Sequence, residues 1–354
     1  MNKNIIPKRQ KTLRNSQELV DENLIPADQQ RVIEKVNSVF SIAIPPTLVR
    51  LINSTNNDAI KRQFIPSPKE TEVLPEEMSD PIGDVSHTPV KGITHRYFDR
   101  LLLKPVHLCP VYCRFCFRRE FVGKGHESLR ANELDDALNY IANHEEVWEV
   151  IISGGDPLIL SDSKLNRIMQ SLHKIPHIEI IRIHTRYPVA EPERITEKMV
   201  KGLLGQSAIY IVLHCNHPDE LTEETLAACS KFTDNGIVVL SQTVLLKGVN
   251  DEAEILEKLF RKLVKNRIKP YYLHHLDLAQ GTNHFRVSIK RGQELMKQIR
   301  GRLSGLCQPQ YVIDIPGGYG KVPIGPDYVE ETADSEYIIE DIHNQKHFYK
   351  DLQK

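Results

Sequence analysis

The sequence predicts an α/β fold in which repeated βα units surround a parallel sheet. Two observations indicate it: short apolar runs rich in β-branched residues recur from residue 100 onward, and each is followed by an amphipathic stretch with helical periodicity. The six predicted strands are 100–104, 149–153, 178–183, 209–213, 237–244 and 269–273. The predicted helices that follow them are 133–143, 164–173, 192–204, 220–235, 252–265 and 289–303.

The flanking segments complete a predicted organisation in three parts. Residues 1–90 form an N-terminal helical region and linker, with helices at 28–40 and 46–53 and an extended, Pro-containing and acidic stretch at 67–89. Residues 91–305 form the barrel. Residues 306–354 form a short C-terminal extension, which starts with a seventh apolar run at 311–315 and a glycine-rich turn.

Composition excludes several classes of protein. The chain has 354 residues, and 46 Lys and Arg against 47 Asp and Glu leave a net charge of -1, so no overall field attracts nucleic acid or an anionic membrane. No apolar run is long enough to span a membrane, and the basic start lacks the apolar core of an export signal. Six cysteines are too few for a disulfide scaffold, so we predict a cytoplasmic protein that acts on a small molecule.

Polar groups follow nearly every predicted strand. In a (β/α) barrel this end of the sheet carries the active site, because the loops after the strands converge there. The alternative is that the strands simply become polar where they leave the core. The groups concerned are Ser153-Gly154-Gly155-Asp156, His184-Thr185-Arg186, His214-Cys215-Asn216-His217, Gln242 and His274-His275-Leu276-Asp277.

Three cysteines lie within eight positions on the loop after the first strand, as Cys109-Pro-Val-Tyr-Cys113-Arg-Phe-Cys116. Thiolates hold iron–sulfur clusters, and three of them leave one iron of a [4Fe–4S] cube without a protein ligand. The alternatives are a zinc site, for which this loop lacks a fourth ligand, and buried structural cysteines. The remaining cysteines, Cys215, Cys229 and Cys307, are interpreted as small buried hydrophobes.

This loop resembles the signature of the radical S-adenosylmethionine (SAM) superfamily, in which an aromatic residue stands at the position of Phe115. The resemblance implies a partial (β/α)6 barrel. It also implies that the open iron chelates the amino and carboxylate groups of SAM, whose reductive cleavage gives a 5′-deoxyadenosyl radical. Ser153, Gly154, Gly155 and Asp156 resemble the strand end that meets the SAM amino group.

Four further motifs resemble the lysine 2,3-aminomutase family over about residues 90–325. They are Arg96-Tyr-Phe-Asp-Arg100, Cys116-Phe-Arg118, Tyr271-Tyr-Leu-His-His-Leu-Asp277 and Asp314-Ile-Pro-Gly-Gly-Tyr-Gly-Lys321. The resemblance implies an isomerase, an intramolecular aminotransferase that uses pyridoxal 5′-phosphate (PLP) to move the α-amino group of L-lysine to the β-carbon.

Lys321 is the residue that we expect to bind PLP as an internal aldimine. A glycine-rich turn lets the backbone approach a cofactor, and a lysine amine reacts with its aldehyde. A phosphate-binding loop is the alternative, but Val322 follows Lys321 where the Walker motif requires Ser or Thr.

The same resemblance implies the other cofactor and substrate contacts. Arg96 and Arg100 would bind the PLP phosphate, with Gln242 as a further contact, whereas without the resemblance the two arginines read as a solvated surface pair. Arg118 would pair with the substrate carboxylate. Asp277 and Asp314 would bind the ε-ammonium group of lysine, although a single aspartate at a strand end is more often a cap or a turn residue.

One departure from the family bears on assembly. Long members carry a C-terminal cysteine cluster for structural zinc, but the last cysteine here is Cys307, so we expect a homo-oligomer, a dimer, without that zinc. His214 and His217 could ligate a metal but fit hydrogen bonding better. A reducing partner such as flavodoxin or ferredoxin is implied by the radical chemistry.

Three alternative functions remain. A short branch of the family modifies a lysine residue of elongation factor P, and it shares Cys-Arg-aromatic-Cys-Phe-Arg-Arg with residues 113–119; other relatives act on other amino acids. The intact Asp314 turn favours free lysine. A noncatalytic iron–sulfur electron carrier is the third alternative.

Overall fold

The computed structural model describes residues 11–55, 58–124 and 128–352. Its N-terminal region is helical as predicted, and its first ten residues lie outside the described ranges. The predicted helix at 28–40 is a short 3₁₀ turn followed by a helix, and the one at 46–53 begins with Pro46, whose fixed φ suits a first helical turn. The helices are α1 (Ser16–Asp21), α2 (Gln30–Val39), α3 (Pro46–Ser54) and α4 (Asp58–Phe64).

A sheet whose strands pair in chain order forms the centre of the described structure. Seven consecutive strands are parallel, and an antiparallel strand closes each edge. The strands are β1 (Ile93–Tyr97), β2 (Arg100–Val106), β3 (Glu149–Gly154), β4 (Ile180–Thr185), β5 (Ala208–His214), β6 (Val238–Val244), β7 (Ile268–His274), β8 (Gln310–Asp314) and β9 (Lys321–Pro323).

The predicted partial barrel is confirmed, and the seventh apolar run adds one more parallel strand to the six. This run becomes β8 because Tyr311 and Val312 are buried and pair with β7, where Leu273 lies opposite Tyr311. The predicted boundary between residues 305 and 306 therefore falls just before a strand of the main sheet. The extension contributes β8 and β9 to the barrel.

Helices cover the outer face of the sheet, and four of them begin at a side-chain cap. Ser161, Thr196, Thr222 and Ser288 each accept a hydrogen bond from a backbone amide of the first turn. The predicted helix at 192–204 is interrupted, because a 3₁₀ turn at Pro192–Arg194 precedes the cap at Thr196. The helices are α5 (Ala131–Ala142), α6 (Asp162–His173), α7 (Tyr187–Ala190), α8 (Glu197–Leu203), α9 (Glu223–Asp234), α10 (Ala253–Lys265) and α11 (Ile289–Arg300).

The chain ends in a separate antiparallel sheet of three strands, β10 (Val329–Ala333), β11 (Glu336–Glu340) and β12 (Lys346–Lys350). It is tied to α11 by an ion pair between Lys297 and Glu340, 2.6 Å apart. No helix in the described ranges is both long and apolar enough to cross a membrane.

The predicted linker at 67–89 lies against the open edge of the barrel. The backbone amide of Met78 donates to the carbonyl of Leu278, after β7, at 2.7 Å. Close to this contact along the segment, the amide of Gly317 donates to the carbonyl of Pro81 at 3.2 Å. We call residues 67–89 the strap, because they connect the N-terminal helices to the loops that surround the site.

Candidate active site

A cavity of about 640 Å³ opens at the carboxyl ends of the parallel strands. Barrel topology places a site at this end, because the loops that follow the strands meet there. The structure brings together every site residue predicted from the sequence, since all of them line this cavity. They are Arg96, Arg100, Cys109, Cys113, Phe115, Cys116, Arg118, Ser153, Gly154, Gly155, Asp156, Gln242, Asp277, Asp314 and Lys321.

The cysteine loop after β2 lies beneath the N-terminal helices. Backbone amides of Tyr112 and Arg114 donate to the carbonyls of Ala43 and Gln63 at 3.1 and 2.8 Å. Cys109, Cys113 and Cys116 are free thiols at the cavity wall. Burial raises the pKa of the Cys116 thiol to about 11.

A buried carboxylate on the strap fixes this loop. Glu70 accepts hydrogen bonds from Arg114 Nε at 3.1 Å and Nη2 at 2.6 Å, and it also pairs with Arg119. Arg119 stacks 3.5 Å from the centre of the Phe40 ring. Because Arg114 and Arg119 flank Cys116, these ion pairs hold the cysteine loop against the strap.

Gly154 and Gly155 allow the end of β3 to pack against the cysteine loop. Gly154 has φ +101°, and a Cβ at Gly155 would lie 2.2 Å from the carbonyl oxygen of Leu108. The amide of Gly155 donates to the carbonyl of Val106 at 2.7 Å. Any side chain here would therefore displace the residues that lead into Cys109.

Asp156 joins the ends of β3 and β4. Its carboxylate accepts hydrogen bonds from the hydroxyl of Thr185 at 2.8 Å, the amide of Arg186 at 2.7 Å and the amide of Leu158 at 3.2 Å. Burial raises the pKa of this carboxyl to about 6. Both oxygens are engaged within the protein, so Asp156 holds the residues after β3 and β4 together, and its contact with the cofactor stays a prediction.

Asp84 on the strap is a functional residue that the sequence did not indicate. Its carboxylate lies 2.8 Å from Arg118 Nε, 3.5 Å from Lys104 Nζ and 3.4 Å from Arg96 Nη2. Burial favours the neutral acid, but the charges of Arg118 and Lys104 outweigh it and lower the pKa of Asp84 to about 2. Asp84 therefore stays ionised and fixes the orientation of Arg118.

The two arginines from the β1 hairpin differ in their surroundings. Arg96 donates from Nη2 to the carbonyl of Ile82 at 2.5 Å, and its buried Nε has no partner among the described residues. Arg100 pairs with Asp99 at 2.6 Å and lies 3.8 Å from the centre of the Tyr97 ring. The alternative of a solvated surface pair therefore does not fit Arg96, because this side chain is held inside the cavity wall.

Glycines shape the turn that carries Lys321. Gly317, Gly318 and Gly320 all have φ between +87° and +94°, a region that strains other residues. The turn lets β9 fold back on β8, with Lys321 paired to Asp314 in the sheet register. The backbone amide of Lys321 donates to the hydroxyl of Tyr97 at 2.8 Å, which anchors the turn to β1.

The amine of Lys321 faces two half-buried groups. Its Nζ forms an ion pair with Asp314 and lies 3.2 Å from Nδ1 of His274. Burial, followed by the charge of Lys321, lowers the pKa of His274 to about 4, so this ring is neutral near pH 7. The sequence places His274 among the polar groups that follow the strands, but it did not indicate this histidine as a site residue.

Asp277 lies in the same buried region. Burial and the neighbouring charge of Asp314 raise the pKa of the Asp277 carboxyl to about 7. A wall that holds two carboxylates of different acidity is suited to a cationic ligand, because an arriving cation favours the ionised form of both.

Comparison with known proteins places the chain among relatives with the same motifs. Residues 103–259 match the model of the radical SAM superfamily, and residues 296–349 match that of lysine-2,3-aminomutase. An L-lysine 2,3-aminomutase from Clostridium subterminale is 40% identical over 317 residues, 89% of this chain and 76% of that protein. The chain belongs to the lysine 2,3-aminomutase family.

Relatives within the family differ in substrate. A glutamate 2,3-aminomutase from Clostridioides difficile is 36% identical over 312 residues, 88% of this chain and 74% of that protein.

Among solved structures, a radical SAM methyltransferase from Sphaerobacter thermophilus is 20% identical and has a TM-score of 0.46, over 62% of this chain and 68% of that one.

Membership establishes the class of reaction and its cofactors. The protein is a radical SAM isomerase of the aminomutase type whose substrate is an amino acid. Enzymes of this family use a [4Fe–4S] cluster, SAM and PLP.

Proposed function

We propose that the protein interconverts L-lysine and L-β-lysine in a PLP-dependent reaction. The observation that carries this proposal is the ion pair of Lys321 with Asp314, beside the buried Asp277. The Lys321 side chain ends in a primary alkylammonium group, the same group that ends a lysine substrate. Its contact with Asp314 supports this carboxylate as a receptor for the substrate ε-ammonium.

The charges of this wall favour lysine over glutamate. A glutamate side chain would bring a third carboxylate next to Asp277 and Asp314, and like charges in a buried site repel one another. An ammonium group instead balances both. Relatives that act on acidic substrates would not be expected to keep this pair.

The cysteine loop fits the iron–sulfur cluster by its donor set. Cys109, Cys113 and Cys116 are three free thiols on one cavity wall, with Phe115 buried between the last two. We assign them as the cluster ligands, with Ser153 to Gly155 as the adjoining SAM contact. When bound and reduced, the cluster and SAM supply a 5′-deoxyadenosyl radical that abstracts hydrogen from the substrate.

A second group of residues that line the cavity fits PLP. Lys321 would carry it covalently, and Arg96 and Arg100 would bind its phosphate, with Gln242 as a further contact. The buried and unpartnered Nε of Arg96 supports this assignment, because such a donor is costly unless a ligand accepts its hydrogen bond. PLP supplies a conjugated system that stabilises an unpaired electron during the amino shift.

Arg118 is placed to orient the substrate between these walls. Its Nε is occupied by Asp84, and its Nη1 lies 3.4 Å from the hydroxyl of Ser153, beside the cysteine loop. We assign its remaining guanidinium N–H groups to the substrate carboxylate, since a fork of two N–H donors matches a carboxylate. With Asp277 and Asp314 assigned to the ε-ammonium group, the substrate would be held at both ends, which supplies the alignment that hydrogen abstraction needs.

An anaerobic assay with a panel of amino acids tests the proposal. We expect the reconstituted protein to convert L-lysine to β-lysine, and to leave L-glutamate unchanged. A lysine residue of elongation factor P is the competing substrate, so the unmodified factor is assayed in parallel by mass spectrometry. Conversion of the factor without conversion of free lysine would contradict the proposal, and absence of 5′-deoxyadenosine would indicate an electron carrier.

Lysine binding should depend on pH through Asp277. Below its pKa of about 7 this carboxyl is protonated and no longer attracts an ammonium group, so KM for lysine rises as the pH falls. The groups that set this pKa are Asp314, which raises it, and Lys321, Arg118 and Arg96, which lower it.

The variant Asp277→Asn checks this expectation. It should raise KM roughly tenfold to hundredfold, because a charge-assisted hydrogen bond of about 1.5–3 kcal/mol is lost, and it should flatten the dependence of KM on pH. Asp135→Asn, at a surface ion pair with Arg167, is the matched control and should keep the wild-type profile. An unchanged KM in Asp277→Asn would remove this residue from the substrate site.

We further propose that a one-electron donor of the flavodoxin or ferredoxin type reduces the cluster, and that the protein is a homodimer. The requirement of radical SAM chemistry for an external electron supports the first. Exposed apolar side chains on the C-terminal sheet, Val329, Phe348 and Tyr349, support the second.

A further inference from the structure

Arg186 directly follows β4 and contacts the cysteine loop. Its Nη1 donates to the Sγ of Cys113 at 3.2 Å, and its backbone amide is held by Asp156. The guanidinium carbon lies 4.8 Å from the centre of the Phe64 ring and 5.5 Å from that of Phe115. The side chain is only 5% exposed, so its charge acts in a medium of low dielectric constant.

A second set of contacts fixes this charge in place. Nη2 of Arg186 donates to Oε1 of Gln63 at 2.7 Å and pairs with Glu220. Glu220 is itself immobilised, because its other oxygen accepts from the amides of Asn216 and His217 at 2.9 and 2.8 Å and from Gln63 Nε2 at 3.1 Å. Glu220, Gln63 and Asn216 are fully buried. Arg186 is therefore a cation with a fixed orientation that donates a hydrogen bond to the sulfur of Cys113.

We propose that Arg186 and Glu220 together set the reduction potential of the iron–sulfur cluster. The proposal rests on the assignment of Cys113 as a cluster ligand. Reduction adds one electron, and thus one negative charge, to the cluster. A buried cation that donates a hydrogen bond to a ligating sulfur stabilises the reduced form and raises the potential. Glu220 fixes this cation and partly offsets its charge.

This role differs from catalysis and from simple packing. Arg186 acts through Cys113, so it is a positioning residue. A purely structural ion pair predicts that loss of either partner weakens cluster binding in the same way. An electrostatic role predicts opposite effects, because Arg186 and Glu220 carry opposite charges beside the same sulfur.

The test is a redox titration of the anaerobically reconstituted protein, monitored by electron paramagnetic resonance in the absence of SAM. The variants are Arg186→Gln, Arg186→Lys and Glu220→Gln, compared at equal iron and sulfide content. We expect the midpoint potential to shift to lower values in Arg186→Gln and to higher values in Glu220→Gln. Arg186→Lys keeps the charge but not the forked donors, so its midpoint should lie between wild type and Arg186→Gln.

Arg194→Gln is the matched control. Arg194 also follows β4 and donates to two backbone carbonyls and to Asp162, but it does not line the cavity, so its loss should leave the midpoint unchanged. A midpoint in Arg186→Gln equal to wild type would overturn the proposal. If Arg186→Gln takes up no cluster, the result for Glu220→Gln tests the proposal instead. A midpoint potential of Glu220→Gln that is equal to or lower than that of the wild-type protein would contradict an electrostatic role. Wild-type protein without a cluster would instead overturn the cysteine assignment, and this proposal with it.

Discussion

Lys321→Ala is expected to abolish the conversion of lysine to β-lysine while leaving the brown iron–sulfur chromophore intact. Lys321 is proposed to bind PLP covalently; it stands 7 residues beyond Asp314, across the hairpin, and it lines the same cavity as the cysteine loop. Removing the amine leaves no covalent attachment, so we expect a loss of roughly three orders of magnitude or more. Chiral product analysis measures the activity, and borohydride reduction measures covalently bound PLP.

Two further variants separate covalent attachment from charge. Lys321→Arg keeps a cation near Asp314 but cannot bind PLP in this way, so it should be as inactive as the alanine variant. Lys297→Ala removes a lysine that pairs with Glu340 outside the cavity, and it should retain activity. Undiminished β-lysine formation by Lys321→Ala would refute the assignment of this lysine.

Cys116→Ala is expected to eliminate the cluster and with it the cleavage of SAM. We propose three thiolates as the ligands of the cluster, and the other two cysteines of the loop already belong to this set. A substitute for Cys116 would require the loop to move, together with Arg118 and Arg119. Because Arg119 is anchored to the buried Glu70, such a movement would break an ion pair in the interior. We expect iron and sulfide content to fall to background and 5′-deoxyadenosine to be undetectable.

Cys229→Ala provides the control for this variant. Cys229 is a buried thiol on α9 that does not line the cavity, so its replacement removes one sulfur without changing the ligand set. It should assemble a cluster with wild-type iron content and cleave SAM at the wild-type rate. A Cys116→Ala protein with the wild-type complement of iron and sulfide would show that this loop does not hold the cluster.

Much of the barrel could be predicted from the sequence because its strands are locally distinctive. Strands buried on both faces are continuous apolar runs, and the consecutive residues Val150, Ile151 and Ile152 are all buried in β3. Helix starts were less accurate, as at α9, where the chain forms a short 3₁₀ turn before Thr222 caps the helix. Such boundaries depend on side-chain capping more than on periodicity.

The strap shows why part of the site escaped prediction. Residues 67–89 have no periodicity and many acidic and proline residues, a pattern that indicates a linker. Glu70 and Asp84 look there like ordinary solvated carboxylates. Their function depends on arginines that lie 44 and 34 positions away in sequence, Arg114 and Arg118, and no local signal reports that distance.

The glycines of the β3 end were predicted for one reason and are needed for another as well. The sequence indicated that Gly154 and Gly155 approach a cofactor. The structure adds that a Cβ at either position would meet the backbone of the cysteine loop, at Val106 or Leu108. A motif can thus identify the right residues before the packing that requires them is known.

The amino-acid sequence by itself indicated the order of the strands, through their periodicity, and the residues proposed for the chemistry, the three thiols, the glycine-rich turns and Lys321, through their resemblance to family motifs. Only the tertiary structure decided which charges face them. Asp84 orients Arg118, and Glu220 fixes Arg186 against Cys113. Which charged side chains pair in the interior depends on their distance in space. That distance is set by the curvature of the whole sheet.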